Sequence, residues 1–153
     1  MTANAPANAV QRRINEALIA YWNELKGNRL YPSEGDIDPD AIADVWDACF
    51  LVKLSSRKET GHFQYTYLGS YLIEAYGDDL TDQEVCSHLV DPDSMPMVKK
   101  FEEVARNGEP MNDEGEFTNH NNVVIKYRSC LLPLGDPGKP VNYILGGMKW
   151  KLA

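Results

Sequence analysis

Apolar residues recur at helical spacing near the start of the chain. Five of them follow one another three or four positions apart, which places them on one face of an amphipathic helix. Gly27 comes directly after this stripe and is a natural stop for the helix. The stripe consists of Val10, Ile14, Leu18, Tyr21 and Leu25. The pattern predicts an N-terminal helix, preceded by the small polar residues 1–8, which we expect to be disordered.

A loop that contains Pro32 separates this helix from a shorter one. Asp38 can accept hydrogen bonds from free backbone N–H groups, and Pro39 suits the first helical position. Trp46 ends the apolar face of the second helix, and we expect it to be buried and structural, like Trp22 and Leu25 of the first helix.

Two strands follow, at residues 49–55 and 62–69, and a polar turn joins them into a hairpin. The second strand alternates, so that Phe63, Tyr65 and Tyr67 are expected to point one way and Gln64 and Thr66 the other.

The middle third of the chain is predicted to be helical and interrupted. Residues 71–76 form one or two turns that Gly77 stops, and Thr81 with Glu84 has the spacing of a capping box for a helix over 81–89. A longer helix over about 95–107 has a buried stripe that includes Met97, Phe101, Val104 and Ala105.

Strands return in the last third, at residues 111–118, 123–134 and 141–152. The order of elements shows no internal repeat and no strict β-α alternation. It predicts an α+β fold with an antiparallel sheet whose helices cover one face, in a single domain over residues 9–153.

Composition and charge exclude several classes of protein. The 15 Lys and Arg against 23 Asp and Glu give a net charge of −8, which disfavours binding to nucleic acid. Apolar runs are too short for a membrane span, and the start of the chain lacks a secretory signal. We therefore expect a cytoplasmic protein whose three cysteines (Cys49, Cys86 and Cys130) are reduced thiols.

Several motifs resemble those of a known family. The pattern Trp22-x-Glu24-Leu25-Lys26-Gly27-x-Arg29-x-x-Pro32, followed by Asp36-Ile37-Asp38-Pro39-x-x-Ile42, is similar to the opening signature of short, stand-alone bacterial PAS proteins. Three later motifs resemble strands of that family: Tyr65-x-Tyr67-Leu68-Gly69-Ser70, Leu131-Leu132-Pro133-Leu134 and Ile144-Leu145-Gly146-Gly147. The chain departs from the family after Thr81, where it has Asp82 and the family often has glycine.

The resemblance implies a PAS-like fold: a five-stranded antiparallel sheet with helices between strands 2 and 3 and an N-terminal helix. It also implies a sensory or protein-interaction module, some members of which hold a ligand between sheet and helices. Haem-binding PAS domains use a histidine near the long helix, which here has none; His88 lies just before it. Flavin photosensors of this fold carry an Asn-Cys-Arg-Phe-type motif, which Cys86 lacks because Val85 and Ser87 flank it. We therefore expect no cofactor.

Metal and enzyme motifs are also incomplete. Asp36, Asp38 and Asp40 have the spacing that opens a calcium loop, but Ala41 and Asp47 stand where that loop requires glycine and glutamate. The sequence motifs of serine hydrolases, zinc metalloproteases, dinucleotide-binding domains and phosphate-binding loops are missing.

Between Leu30 and Val52 there are six acidic residues and no Lys or Arg. Such a run is typical of a solvated face or of a docking surface for a basic partner.

Tyrosines suggest where a ligand would bind. Several tyrosine hydroxyl groups above an apolar floor could line a small cavity, or the same rings could form a filled core. The candidate pocket residues are Phe63, Tyr65, Tyr67, Phe101, Tyr127 and Tyr143.

We expect a non-catalytic sensory or adaptor module that acts by protein–protein contact, biased by a small-molecule ligand and in contact with a signalling partner. The N-terminal helix stripe is the expected homodimer interface, with packing against its own sheet as the alternative. Two other functions stay open: a purely structural dimerisation module, and a small enzyme using Tyr65 or Tyr67 as an acid with an aspartate base. No strand supplies that aspartate by our sequence reasoning, since Glu114 and Glu116 are expected to face water.

Overall fold

The computed structural model describes residues 7–54, 63–85 and 95–153. Its helices are α1 (Ala7–Lys26), α2 (Ala43–Trp46), α3 (Ser70–Tyr76) and α4 (Met95–Asn107), with short 3-10 turns at Glu34–Asp36 and Pro39–Ile42. Its strands are β1 (Cys49–Leu54), β2 (Phe63–Leu68), β3 (Met111–Thr118), β4 (Val124–Leu134) and β5 (Tyr143–Leu152). Predictions for the start of the chain up to residue 6, for the turn after β1 with His62, and for Cys86 and His88 lie outside the described residues.

The five strands form one antiparallel sheet in the order β2-β1-β5-β4-β3. Helices α3 and α4 come between the second and third strands, and α1 precedes the first. The predicted α+β class, strand number and helix placement are therefore confirmed. Helix α1 begins at Ala7, so the disorder predicted for residues 1–8 does not include its last two residues. None of the helices in the described part of the chain is long and apolar enough to cross a membrane.

Helices cover both faces of the sheet, whereas the sequence predicted cover on one. We call the face under α3 and α4 the inner face, and the face under α1 the outer face. The centres of β1, β4 and β5 are buried on both sides, because their side chains alternate between two apolar clusters. The inner cluster lies on the inner face and includes Val52 and Ile144, and the outer cluster lies on the outer face and includes Leu132 and Leu145. A sheet with two apolar faces needs a layer on each, and α1 supplies the second.

The apolar stripe of α1 is used within its own chain. Ile14 and Leu18 are 8% and 0% exposed and pack on the outer face, together with Trp22. The indole N–H of Trp22 donates to the Pro133 carbonyl oxygen at 2.8 Å. Tyr21 is half-buried, and its hydroxyl accepts from the backbone N–H of Asp38 at 2.7 Å.

The stripe prediction therefore needs a correction. Ile14 and Leu18 cover the sheet of their own chain, so they are not a free homodimer surface. Leu25 is half-buried, and Val10 belongs to the first turns of α1, whose side chains lie outside the described part of the structure.

A β-bulge in β2 changes which way Tyr67 points. Leu51 pairs with Tyr67 and the next residue, Val52, pairs with Tyr65, so Thr66 is an extra residue in the ladder. An extra residue reverses the alternation of side chains beyond it. Phe63 and Tyr65 therefore join the inner cluster, whereas Tyr67 packs on the outer one.

The helix predicted for residues 81–89 does not form in its described part, which ends at Val85. The Thr81 hydroxyl donates to the Asp79 carboxylate at 2.6 Å, and Asp82 has φ +70°. That left-handed conformation favours glycine and is tolerated by Asp, which explains how Asp82 occupies the position where the resembling family has glycine. Beyond this turn the chain pairs with the free edge of β2: the Val85 N–H donates to the Phe63 carbonyl at 2.7 Å.

Candidate functional site

Seven aromatic side chains lie together between the inner face and helices α3 and α4. Successive ring centroids lie 5.0–6.0 Å apart, in edge-on, tilted and stacked arrangements. Phe101 reaches the group from α4 and Tyr76 from α3, while the sheet supplies the rest. We call this group the aromatic core: Phe50, Phe63, Tyr65, Tyr76, Phe101, Phe117 and Tyr127.

The structure brings four of the six predicted pocket residues together. Phe63, Tyr65, Phe101 and Tyr127 all belong to the aromatic core. The other two, Tyr67 and Tyr143, pack against the outer cluster and are wrong as members of an inner site. The bulge displaces Tyr67, and the strand alternation of β5 places Tyr143 on the same face as Leu145.

Tyr67 has a structural role on the outer face. Its ring stacks on Trp46 at 4.3 Å with an interplanar angle of 11°, and its hydroxyl donates to the Trp46 carbonyl oxygen at 3.0 Å. Burial, with smaller contributions from Asp47 and Cys49, raises the pKa of Tyr67 to about 12. Trp46 is only half-buried, so the burial predicted for it is wrong.

Tyr143, the other pocket candidate on the outer face, also has a raised pKa. Burial is the larger cause, and the negative charge of Glu34 is the smaller one.

A pair of tyrosine hydroxyl groups supplies polarity inside the aromatic core. The Tyr65 and Tyr76 hydroxyl oxygens are 3.0 Å apart, and both residues are buried. A buried tyrosine hydroxyl needs such a partner, because leaving it unpaired costs about 1–3 kcal/mol. The same two hydroxyl groups are the polar atoms that a guest molecule between the sheet and α3 would meet.

A second polar position, Asp113, escaped the sequence reasoning. It lies on β3 two residues from Met111 and four from Phe117, so strand alternation points it inward with them. Glu114 and Glu116 of the same strand are exposed, as the sequence predicts. The alternation Met111, Asp113, Gly115, Phe117 was the available signal.

Gly115 allows Tyr127 to reach that carboxylate. A Cβ at Gly115 would lie 3.1 Å from the Tyr127 hydroxyl oxygen and 3.4 Å from ring carbons, so the ring of Tyr127 lies across the glycine. The hydroxyl then donates to Asp113 Oδ2 at 3.0 Å. Burial raises the pKa of Asp113, and the Tyr127 hydrogen bond and the positive charge of Lys100 on α4 oppose that rise.

Two consecutive glycines of β5 contact the aromatic core on one face of the sheet and α1 on the other. A Cβ at Gly146 would overlap the Phe50 ring on the inner side. A Cβ at Gly147 would overlap Leu18 of α1 on the outer side, since adjacent strand residues point to opposite faces. The aromatic core and α1 therefore contact neighbouring residues of one strand.

The described residues do not assemble a metal site. Among them there is no group of three or more His, Cys, Asp or Glu side chains that could hold a metal ion. The acidic positions considered for calcium have local partners: Asp36 pairs with Arg29 at 2.9 Å, and Asp38 Oδ1 accepts from the backbone N–H of Asp40 at 3.1 Å. His120 is exposed in the turn after β3.

A model of the family described as PAS domain matches residues 10–149. No curated protein matches the chain significantly.

Solved structures share the fold at low sequence identity. A light-oxygen-voltage domain studied with a flavin analogue aligns with TM-score 0.58 and 14% identity, over 73% of this chain and 82% of that one. A PAS domain from Colwellia psychrerythraea aligns with TM-score 0.54 and 14% identity, over 72% and 93% of the two chains. A light-oxygen-voltage protein from Rhodobacter sphaeroides aligns with TM-score 0.54 and 12% identity, over 67% of this chain but only 58% of its own length. At these identities the likeness concerns the fold alone.

Proposed function

This chain belongs to the PAS domain family, and on that premise we propose that it is a cytoplasmic, non-catalytic sensor that acts by protein–protein contact. PAS domains are sensory and interaction modules and are typically not catalysts. The finer proposal is that a small ligand in the aromatic core changes how α1 packs on the sheet, and that a signalling partner or a second copy reads the change.

The ligand chemistry follows from the polar atoms of the core. The Tyr65–Tyr76 hydroxyl pair and the Asp113–Tyr127 pair lie among buried apolar side chains. A site with an apolar lining and a few convergent polar groups fits a small, largely apolar molecule that carries hydroxyl or amide groups. We propose that this molecule is neither haem nor flavin, since the long helix lacks a histidine and Cys86 lacks the flavin-thiol motif.

The single observation that carries the proposal is the glycine pair of β5. Phe50 of the aromatic core lies against Gly146, and Leu18 of α1 lies against Gly147. A guest that moves the Phe50 ring changes the contacts of Gly146 and, through the same peptide unit, the surface on which Leu18 rests. A ligand that binds one packing of α1 more tightly than another shifts the population between them.

The catalytic alternative loses support at its proposed acids. That alternative needs either Tyr65 or Tyr67 beside an aspartate. Tyr67 lies on the outer face and donates to the Trp46 carbonyl oxygen, away from the inward-facing Asp113. The inward-facing Asp113 is bonded to Tyr127, and the hydroxyl of Tyr65 is bonded to that of Tyr76.

The test measures hydrogen exchange of α1 while the inner face is perturbed. Phe50→Leu alters the ring that covers Gly146 on the inner face, whereas the described side chains of α1 pack on the outer face. We expect amides of residues 14–22 to change their exchange rate at least about fivefold relative to those of β4. Native mass spectrometry of protein from its own host, followed by exchange with and without any retained molecule, tests the ligand directly.

Val104→Ala is the matched control, because Val104 is fully buried in the same cluster but belongs to α4. It should leave the ratio of α1 to β4 exchange unchanged. If Phe50→Leu and ligand removal both leave α1 exchange unaltered, the coupling is wrong and the structural dimerisation module becomes the better account. A haem or flavin absorption spectrum would refute the ligand class.

A further inference from the structure

Two cysteine side chains lie in one row across the outer face, beneath α1. Cys49 of β1 and Cys130 of β4 both pair with Gly147 of the strand between them, so all three residues point to the same face. Leu18 of α1 lies over the middle of this row, where it would contact a Cβ at Gly147. We call Cys49 and Cys130 the thiol pair. The coupling proposed above uses neither of these sulfur atoms.

The thiol pair cannot form a disulfide bond within the intact sheet. Strand β5 separates the two cysteines, and a spacing of about 4.8 Å between strands places their Cα atoms roughly 9.5 Å apart. A disulfide requires Cα atoms within about 7 Å of each other. Covalent chemistry at either sulfur atom must therefore join it to another molecule.

Such a modification is incompatible with α1 resting on the sheet. Cys49 is 0% exposed and Cys130 is 1% exposed. Even a methyl group at Gly147, between the two cysteines, would lie 2.3 Å from Leu18 Cδ1 and 3.0 Å from Ile14 Cγ2. A larger group on a neighbouring sulfur atom would displace the helix. A cysteine of the pair can therefore react only while α1 is off the sheet, and the resulting adduct prevents α1 from returning.

Positively charged neighbours favour reaction at Cys130. With α1 on the sheet, burial raises the pKa of Cys130 to about 12, and this cause disappears when water reaches the thiol. Arg128 lies two residues before Cys130 on β4, and Lys149 lies opposite Arg128 on β5, so both have the same outward parity as Cys130. Glu114 offsets part of the Arg128 charge at 3.6 Å. Cations beside a thiol lower its pKa and increase the reactive thiolate fraction.

Cys49 has less favourable surroundings for the same reaction. Burial, followed by the charges of Cys130 and Asp47, raises the pKa of Cys49. The effect of the Asp47 carboxylate opposes ionisation, whereas the cations near Cys130 support it. The Cys49 thiol also donates to the Val45 carbonyl oxygen of α2 at 3.2 Å, a contact that does not involve α1. The two cysteines are therefore equally covered but unequally prepared to react.

We propose that Cys130 is a covalent modification site covered by α1, and that its reactant is an anionic low-molecular-weight disulfide. The Cys130 thiol loses its proton to water, and its thiolate attacks one sulfur of the reactant. A new S–S bond joins Cys130 to that sulfur, the original S–S bond breaks, and the other half leaves as a thiolate with the electron pair. Cys130 is thereby oxidised and the leaving half reduced, and a free thiol reverses the exchange.

The inference goes beyond the proposed sensor function. It requires only that α1 opens, which local unfolding supplies, and it needs no ligand in the aromatic core. An anionic reactant is specified because Arg128 and Lys149 attract negative charge to the exposed Cys130. The modified chain would retain a record of the disulfide for as long as the adduct persists.

The first test maps which cysteine reacts first. The natural chain is treated for hours with the dianionic aryl disulfide dithiobis(nitrobenzoate), and peptide mapping gives the initial rate at each cysteine. The ratio of the Cys130 rate to the Cys49 rate should be at least about tenfold higher in the native protein than in urea. The neutral dithiodipyridine, scored in the same way, should show a preference at least about threefold smaller, as should Arg128→Gln with Lys149→Gln treated with the anionic reagent.

A matched pair of variants tests whether α1 controls access. Leu18→Ala weakens the contact of α1 with the sheet and should increase the Cys130 rate at least about tenfold, because the rate follows the open population. Val104→Ala removes a buried side chain from the inner cluster and should change that rate by less than about threefold. Circular dichroism establishes that each variant is folded before it is scored.

The last measurement asks whether the adduct keeps α1 off the sheet. Hydrogen exchange of residues 14–22, relative to β4, should rise at least about tenfold in the modified natural chain and return to its starting value after reduction. Cys130→Ala, compared with its own untreated sample, should show no such rise. Cys49 reacting as fast as Cys130, an equal preference for the neutral reagent, a Cys130 rate that Leu18→Ala leaves unchanged, or α1 exchange unaltered by the adduct would each overturn the proposal. None of these results bears on the Phe50→Leu test, which perturbs the inner face.

Discussion

Replacing Gly147 by alanine would place a methyl group where α1 rests on the sheet. The new Cβ would lie 2.3 Å from Leu18 Cδ1 and 3.0 Å from Ile14 Cγ2. Carbon atoms in contact are normally about 3.5–4.0 Å apart, so the first distance is more than about 1 Å too short. Leu18 is fully buried, and its methyl group cannot move into solvent. Either α1 shifts away from β5 or Leu18 leaves its preferred rotamer.

The size of the effect follows from two opposing contributions. Overpacking a well-packed site costs about 1–3 kcal/mol. Alanine also restricts the unfolded chain, which stabilises by about 0.4–1 kcal/mol where the native backbone suits it, and Gly147 has the extended conformation of a strand. We therefore expect Gly147→Ala to lower the free energy of unfolding by about 1–2 kcal/mol.

The assay is a double-mutant cycle with Leu18→Ala, followed by urea unfolding monitored by tryptophan fluorescence. Leu18→Ala alone should cost about 2–5 kcal/mol, because it leaves a cavity under α1. In that background the added methyl group fills vacated space, so Gly147→Ala should be neutral or stabilising. The two substitutions should therefore couple by about 1–3 kcal/mol.

Additivity of the two substitutions within about 0.5 kcal/mol would refute this reasoning, since it would mean that Leu18 does not occupy the space above Gly147. An unchanged stability of Gly147→Ala on its own would do the same.

Three further predictions concern single groups. Trp22→Phe removes the donor to a buried carbonyl and should lower the free energy of unfolding by about 1–3 kcal/mol, measured by urea denaturation with circular dichroism. Burial raises the pKa of Asp113 in the folded protein, so folding disfavours its ionised form. The free energy of unfolding should therefore fall as pH rises from 3.8, the pKa of the unfolded chain, through the higher pKa of the folded protein. Asp113→Asn should remove this contribution to the pH dependence and be more stable than the natural chain at pH 7. Burial raises the pKa of Cys130 to about 12 and that of Cys49 further, so peptide mapping after iodoacetamide treatment at pH 8 should find both thiols unlabelled in the native protein and labelled in urea.

Each of these has a matched comparison. Trp46→Phe keeps the half-buried stack on Tyr67 and should change stability less than Trp22→Phe does. Glu114→Gln alters an exposed carboxylate of the same strand and should leave the acid-range stability profile of the natural chain in place. Native labelling of Cys49 or Cys130 at the rate seen in urea would show that the outer cluster opens readily.

Local patterns in the sequence determined most of the elements. The spacing of Ile14 and Leu18 predicted α1, Gly77 marked the end of α3, and the bounds of β3 agree with the prediction. These signals are local, because helical and strand periodicity, caps and turn residues act over a few positions. The motif resemblance supplied the PAS fold, which the family match supports.

Other features were decided only by the tertiary structure. Thr66 looks like any strand residue, yet its bulge against β1 moves Tyr67 to the outer face, because pairing with the neighbouring strand sets the register. Thr81 has the spacing of a capping box, but its hydroxyl bonds Asp79 and the following residues pair with the edge of β2. The apolar stripe of α1 is equally suited to a partner or to its own sheet, and the choice depended on Gly147, which leaves room for Leu18. Periodicity reports which face of an element is apolar; what that face contacts depends on residues far away in the chain.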